Sequence, residues 1–226
     1  MIRRAVAELL GTAFLLAAVV GSGIMAERLA GGNFAIALLA NTIATGAALV
    51  ALILAFGGIS GAHFNPVVTL SMAFKGAMQW QEAPAYLLAQ FVGGFLGVAA
   101  ANRMFGCALF FASGHARSGP SLLLSEFVAT FGLLVVIWAC LESRASAVPF
   151  AVGAYIVAAY WFTASTSFAN PAVTLARAAS GTFAGIRLVD VPGFVAAQLA
   201  GCFAATIVCS WLFRTSRAAG ADATGG

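Results

Sequence analysis

Two short phrases in this chain carry residue types that could act on a solute. Asn65-Pro66-Val67 and Asn170-Pro171-Ala172 lie 105 residues apart in closely similar contexts, His63-Phe64-Asn65-Pro66-Val67-Val68-Thr69-Leu70 and Phe168-Ala169-Asn170-Pro171-Ala172-Val173-Thr174-Leu175. Asn followed by Pro is a helix start, with Asn as the cap and Pro in the first turn. A capping Asn keeps amide donors for a passing molecule, and the helix N-terminus beneath it carries partial positive charge. The chemistry on offer is orientation of an uncharged hydrogen-bonding molecule and repulsion of cations, without bond making. No Ser/His/Asp set, metal-ligand cluster or phosphate-cradling loop stands in the sequence, so no enzyme, cofactor or metal is expected. Cys107, Cys140, Cys202 and Cys209 form no CxxC pair and read as packing residues.

Glu8 and Glu126 are the other chemical candidates, because each interrupts an apolar run. An ionisable group at membrane depth marks a functional site by default. Their places are equivalent: Glu8-Leu9-Leu10-Gly11-Thr12 echoes Glu126-Phe127-Val128-Ala129-Thr130. That symmetry favours a structural duty, accepting hydrogen bonds from backbone N–H groups, over proton relay. His63 precedes the first Asn-Pro and is read as ordering its loop. His115 is read as a solvated loop residue.

The elements that must hold these residues follow from composition. Of 226 residues, 62% are hydrophobic and 8% charged, too few charges for the surface of a water-soluble domain. The net charge of +4 is spread along the chain and excludes a nucleic-acid partner. A bilayer core of about 30 Å takes about 20 apolar helical residues. Six spans result, at 5–26, 34–57, 84–106, 121–141, 147–164 and 191–213. The first begins like a signal peptide, but Glu8 and five later spans argue against cleavage. Residues from Thr215 read as a flexible tail. Trp80, Trp138, Trp161 and Trp211 lie near span ends, as an aromatic belt would. With the N-terminus inside, six basic residues fall inside and five outside, a slender positive-inside margin.

Two uncharged stretches overrun a single span, and these contain the Asn-Pro phrases. Gln90-Phe91-Val92-Gly93 and Gln198-Leu199-Ala200-Gly201 supply a further echo. The chain therefore reads as two three-span halves, 1–115 and 116–214, followed by the 215–226 tail. An odd number of spans inverts the second half, and inverted repeats put their site at the midplane. The helices after Asn65 and Asn170 should run to about Lys75 and Ser180, about 15 Å each and half a bilayer. Residues 57–63 and 163–169 should be non-helical, which is tolerated at membrane depth only where the backbone is enclosed by protein or lines a cavity. Gly93 and Gly97 form a GxxxG in the third span, a close-crossing signal.

With these motifs in place, the chain resembles the major intrinsic protein family, the aquaporins and aquaglyceroporins, over about residues 4–214. The resemblance implies an all-α fold of six membrane helices plus two re-entrant half-helices, a homotetramer with one pore per subunit, and passive permeation of water or small neutral solutes. The first motif carries Val67 where the family usually has Ala. The larger departure is Val173, where the family usually places Arg immediately after the second motif. The remaining filter positions implied are Thr45, usually a large aromatic, Ser167, and either Ala158 by ungapped counting or Tyr160 by alignment from Gly153. A ring without the guanidinium is expected to be wider and to pass glycerol-like polyols and undissociated metalloid hydroxides such as arsenous acid. Arg177, one turn beyond Val173, either lines the vestibule and pairs locally or reaches back to the ring. Two alternatives stand beside this reading: a water-selective channel, and a proton-coupled transporter using Glu8 or Glu126. Ten Arg to one Lys fits a bacterial source, hence an inner membrane with both termini cytoplasmic.

Overall fold

The computed structural model describes residues 1–213, so the 215–226 tail lies outside the described residues. Eight α-helices follow in order: α1 Ile2–Leu29, α2 Phe34–Ser60, α3 Pro66–Phe74, α4 Ala83–Met104, α5 Pro120–Ser143, α6 Val148–Phe162, α7 Pro171–Arg177 and α8 Val191–Leu212. Six are long and apolar enough to span a bilayer, and α3 and α7 are the half-helices. Helix starts are written plainly in the sequence. All six prolines of the chain stand in the first turn of a helix, where the missing N–H is no loss. Asn33 caps α2 by accepting from the N–H groups of Ala35 and Ile36.

Helix ends are less legible. The first helix extends past its apolar core at both ends, because Arg3, Arg4 and Arg28 limit the hydrocarbon-compatible stretch and not the helix. Residues 57–60, expected to be irregular, are helical, and α2 ends only at Gly61, whose φ of +85° and N–H bond to the Gly57 carbonyl form a left-handed cap. Gly57 and Gly58 are tolerated because an unpaired backbone at this depth costs more than their weak helix preference. The second half-helix ends three residues before Ser180. The connection between α4 and α5 ends it: Ser113 and Phe111 donate their N–H groups to the carbonyls of Ala178 and Ala179.

Packing gives each long helix a place. α1 lies against α2 and α4, α5 against α6 and α8, and α2 meets α6 across the two groups. The GxxxG of α4 works as expected, since a Cβ on Gly93 or Gly97 would overlap the backbone of Leu9 or Ala13. On α8, a Cβ on Gly201 would sit 2.6 Å from the Phe127 carbonyl oxygen. Trp80, Trp161 and Trp211 are exposed on the outside of the bundle, whereas Trp138 is buried. Trp138 is thus a packing residue and not part of a belt: its indole N–H donates to Ser71 Oγ at 2.9 Å, and Lys75 Nζ rests 3.9 Å from its ring.

Gly97→Val should lower the thermal midpoint of the detergent-solubilised protein, reflecting an overpacking cost of about 1–3 kcal/mol. Gly58→Val, which has open space at its Cβ position, should leave the midpoint nearly unchanged.

Candidate functional site

The two Asn-Pro caps meet inside the bundle. Asn65 Oδ1 accepts from Val67 N–H at 3.1 Å. Asn170 Oδ1 accepts from Ala172 and Val173 N–H at 3.0 and 3.2 Å. Each amide nitrogen then crosses to the opposite loop: Asn65 Nδ2 donates to the Ala169 carbonyl and Asn170 Nδ2 to the Phe64 carbonyl, both at 2.8 Å. An Asn amide has two N–H donors, so each keeps one beyond this cross-link. Pro66, Val67, Pro171 and Ala172 are buried directly behind the caps.

The loops that deliver the caps are held by the two carboxylates. Glu8 Oε1 accepts from Ser60 Oγ at 2.6 Å and His63 N–H at 2.9 Å, and its Oε2 accepts from Phe64 N–H at 2.7 Å and Gln90 Nε2 at 2.8 Å. Glu126 accepts from Phe168 and Ala169 N–H at 2.9 and 2.8 Å and from Gln198 Nε2 at 2.7 Å. Each glutamine also donates to a half-helix threonine, Gln90 to Thr69 and Gln198 to Thr174. These bonds hold a strained path. Ala62, Phe64, Thr166, Ser167 and Ala169 all have φ between +47° and +63°, a conformation costing about 1–3 kcal/mol for a non-glycine residue. Such residues persist only where the surroundings over-determine them.

A narrow cavity of about 60 Å³ runs past both caps. Its lining mixes two chemistries. Asn65, Asn170, Ser167, Thr45 and Tyr160 contribute polar groups, and Leu49, Leu133, Val152 and Ile156 apolar ones. Toward α3 it passes into a largely aliphatic second cavity through shared walls at Leu49, His63, Phe64, Leu133 and Val152. Toward α7 it meets an open vestibule lined by Arg117, His115 and Trp161, with Arg177 lining both spaces.

The residues singled out from the sequence distribute as follows. Thr45, Ser167 and Val173 line the cavity. Of the two candidates on α6, Tyr160 lines it, its hydroxyl 3.4 Å from Thr45 Oγ1. Ala158 is exposed on the outer face of α6; two residues amount to about 200° around a helix, which turns it away. His63 lines both inner cavities, and its Nδ1 lies 3.1 Å from Thr69 Oγ1. His115 is exposed, its Nδ1 3.1 Å from the Thr182 carbonyl oxygen. Arg177 is buried, with Nε donating to the Ala184 carbonyl. The duties of Gln90, Gln198 and Arg117 do not emerge from the sequence. The glutamines are visible there as an echo, and an amide within an apolar span is itself the signal. Arg117 lies in an irregular connection where no periodicity marks it. Its Nε donates to the Gly185 carbonyl at 2.8 Å, and its Nη1 to the Ser165 carbonyl at 3.3 Å. Burial pushes its pKa below the usual guanidinium value, with Tyr160 and Glu126 acting in the opposite sense.

Comparisons with known proteins agree with this fold. Residues 1–160 match the family described as Major intrinsic protein. The chain is 53% identical over 215 residues to Aquaglyceroporin AqpS of Rhizobium meliloti (strain 1021), covering 95% of this chain and 92% of that protein. It is 34% identical over 214 residues to Aquaporin NIP1-3 of Oryza sativa subsp. japonica, covering 91% and 73%. Its fold superposes on the aquaglyceroporin from Plasmodium falciparum with a TM-score of 0.75 at 19% identity, over 95% of this chain and 96% of that one.

Glu126→Gln should destabilise the protein. The replacement amide turns donors toward N–H groups that need acceptors, at a cost of about 1–3 kcal/mol for each group left unpaired. A lowered thermal midpoint in detergent checks this; an unchanged midpoint would mean that the loop holds itself.

Proposed function

This chain belongs to the major intrinsic protein family, whose members are passive membrane channels and not enzymes, and on that premise we propose that it conducts small uncharged polar solutes. Glycerol-like polyols, undissociated metalloid hydroxides such as arsenous acid, and water are the solutes this reading names. The Rhizobium relative, named an aquaglyceroporin, supports the polyol part. The observation that carries the proposal is the cavity lining beside the second cap. Val173 stands where a fixed guanidinium is usual, and Thr45 where a large aromatic is usual. A ring with two small residues at those positions is wider than a water-selective one. Tyr160 keeps it polar, so hydroxylated solutes find donors and acceptors there.

Permeation follows from the cavity's mixed polar and apolar lining. A solute turns its oxygens toward the Asn65 and Asn170 amides and the loop carbonyls, and its carbon or metalloid face toward Leu49, Leu133 and Val152. Both half-helix N-termini raise the potential at the caps and repel cations. Glu8 and Glu126 are buried structural acids on this reading. Their oxygens accept from loop N–H groups and glutamine amides, the pattern of backbone positioning and not of a proton relay. The two halves, 1–115 and 116–214, act as one inverted pair around this path. We further propose a homotetramer in the bacterial plasma membrane with both termini cytoplasmic, which sets the α7 vestibule on the outer side.

In proteoliposomes under a glycerol gradient, the wild type should shrink and then reswell, and an imposed pH gradient should leave the rate unaltered. Val173→Arg should slow glycerol by about tenfold or more while sparing water, the order expected when a pocket is narrowed against a larger solute. Unchanged glycerol flux in Val173→Arg would overturn the wide ring, and absence of glycerol and arsenous acid flux in the wild type would leave a water-selective channel.

A further inference from the structure

Arg177 is the one cavity-lining residue whose cation has no assigned work. Within α7 it follows Val173 by one helical turn and shares its face. Both residues line the cavity that holds Thr45, Tyr160 and Ser167. The side chain is fixed at two points: Nε donates to the Ala184 carbonyl, and the guanidinium carbon lies 3.5 Å from the centre of the Phe168 ring. With Nε engaged, its two terminal amino groups find no acceptor among the described residues.

Among the described residues no carboxylate lies within ion-pair distance of this guanidinium. The salt bridges among the described residues are Arg4–Glu82 and Arg187–Asp190, and Glu126 is occupied by Phe168, Ala169 and Gln198. Arg117 brings a second guanidinium 5.0 Å from the same ring, but its Nε and Nη1 are bound to loop carbonyls. A buried charge without a counterion is costly unless it finds hydrogen-bond acceptors. A second unmet group stands in the same lining, since the hydroxyl of Ser167 is buried with no partner. Donors on a guanidinium and an unpaired hydroxyl together describe a place for a molecule that carries oxygens.

We propose that Arg177 is the specificity-determining cation of this channel. From one turn beyond the usual position, it presents its two free amino groups to an uncharged solute bearing at least two hydroxyl oxygens, with Ser167 as the second contact. The proposal rests on the channel reading above. It places a gripping residue at the junction of vestibule and cavity, where the solute leaves bulk water, and leaves the ring at Val173 wide. The planar fork of a guanidinium can bind two oxygens of one solute, which a lysine ammonium cannot match. Its charge adds a barrier to protons and cations upstream of the caps.

The test uses full-length protein in vesicles, with glycerol and water flux followed by light scattering and proton leak by a trapped pH dye under a potassium diffusion potential. Arg177→Ala should raise the proton leak by about tenfold and relax the size limit so that five-carbon polyols enter, in line with the loss of one discriminating contact. Val173→Arg combined with Arg177→Ala should return the leak to near the wild-type level, because the guanidinium has only been moved one turn. Arg177→Lys should stay proton-tight but lose glycerol relative to water severalfold. A residue that merely anchors its loop to Ala184 would lower the thermal midpoint in the Ala and Lys variants alike and leave both the leak and the flux ratio unaltered; that result overturns the proposal. Should the Ala variants fail to insert, an Arg177→Lys variant with the wild-type glycerol-to-water ratio overturns it equally. Wild-type vesicles no more permeable than empty ones would overturn the channel reading itself, whereas a conducting wild type with unchanged variants sinks the Arg177 assignment alone.

Discussion

A backbone N–H without an acceptor costs several kcal/mol in hydrocarbon, and this chain takes two irregular loops to that depth. The rest of the architecture follows from how those N–H groups are met. Glu8 and Glu126 each take up two consecutive backbone donors of a loop. Gln90 and Gln198 tie each carboxylate to a threonine of the half-helix that the loop feeds. The carboxylates come from α1 and α5 and the glutamines from α4 and α8, so the long helices must pair as α1 with α4 and α5 with α8. The glycines of α4 and α8 allow that closeness. The polar network and the tight crossings are therefore one requirement met at two levels.

The same arrangement explains why a chain with so little charge can carry a polar path. Of its buried charged residues, Glu8, Glu126 and Asp190 accept from backbone N–H groups, and Arg177 stands at the α7 mouth of the path. What faces the solute elsewhere is amide, hydroxyl and aliphatic surface. A permeating molecule meets groups that can orient it but hold it only weakly, which suits fast transit.

Much of this is legible in the sequence for a physical reason. Apolar length, Pro in a first turn and Asn before it are local signals, and the local physics of helices sets them. The six spans can be read from apolar run length, both half-helix starts at Pro66 and Pro171 from Asn-Pro, and Val173 stands out only through the family resemblance. The repeated Glu stands out because an acid in an apolar run is costly and persists only where something nearby needs it. Helix ends are not legible in the same way. Residues 57–60 stay helical, and α7 stops at Arg177 because Ser113 and Phe111, far away in sequence, take the next carbonyls. The choice between Ala158 and Tyr160 needs the rotation of α6 about its axis, which only packing decides. Arg117 is hidden for the same reason, since its partners Gly185 and Ser165 are distant in sequence.

The crossed amides at the centre have a thermal consequence. Asn65 is bonded to the loop before Asn170, and Asn170 to the loop before Asn65, so the waist widens only if two buried hydrogen bonds break together. Breaking either leaves a buried donor or acceptor unpaired, at a cost of about 1–3 kcal/mol. The waist therefore has a fixed bore, and the temperature dependence of permeation reports the shedding and regaining of a solute's hydration along a rigid wall, with a shallow Arrhenius slope. Any regulation of flow has to act beyond that knot, for instance on the α7 side, where Arg117 and His115 line the open vestibule.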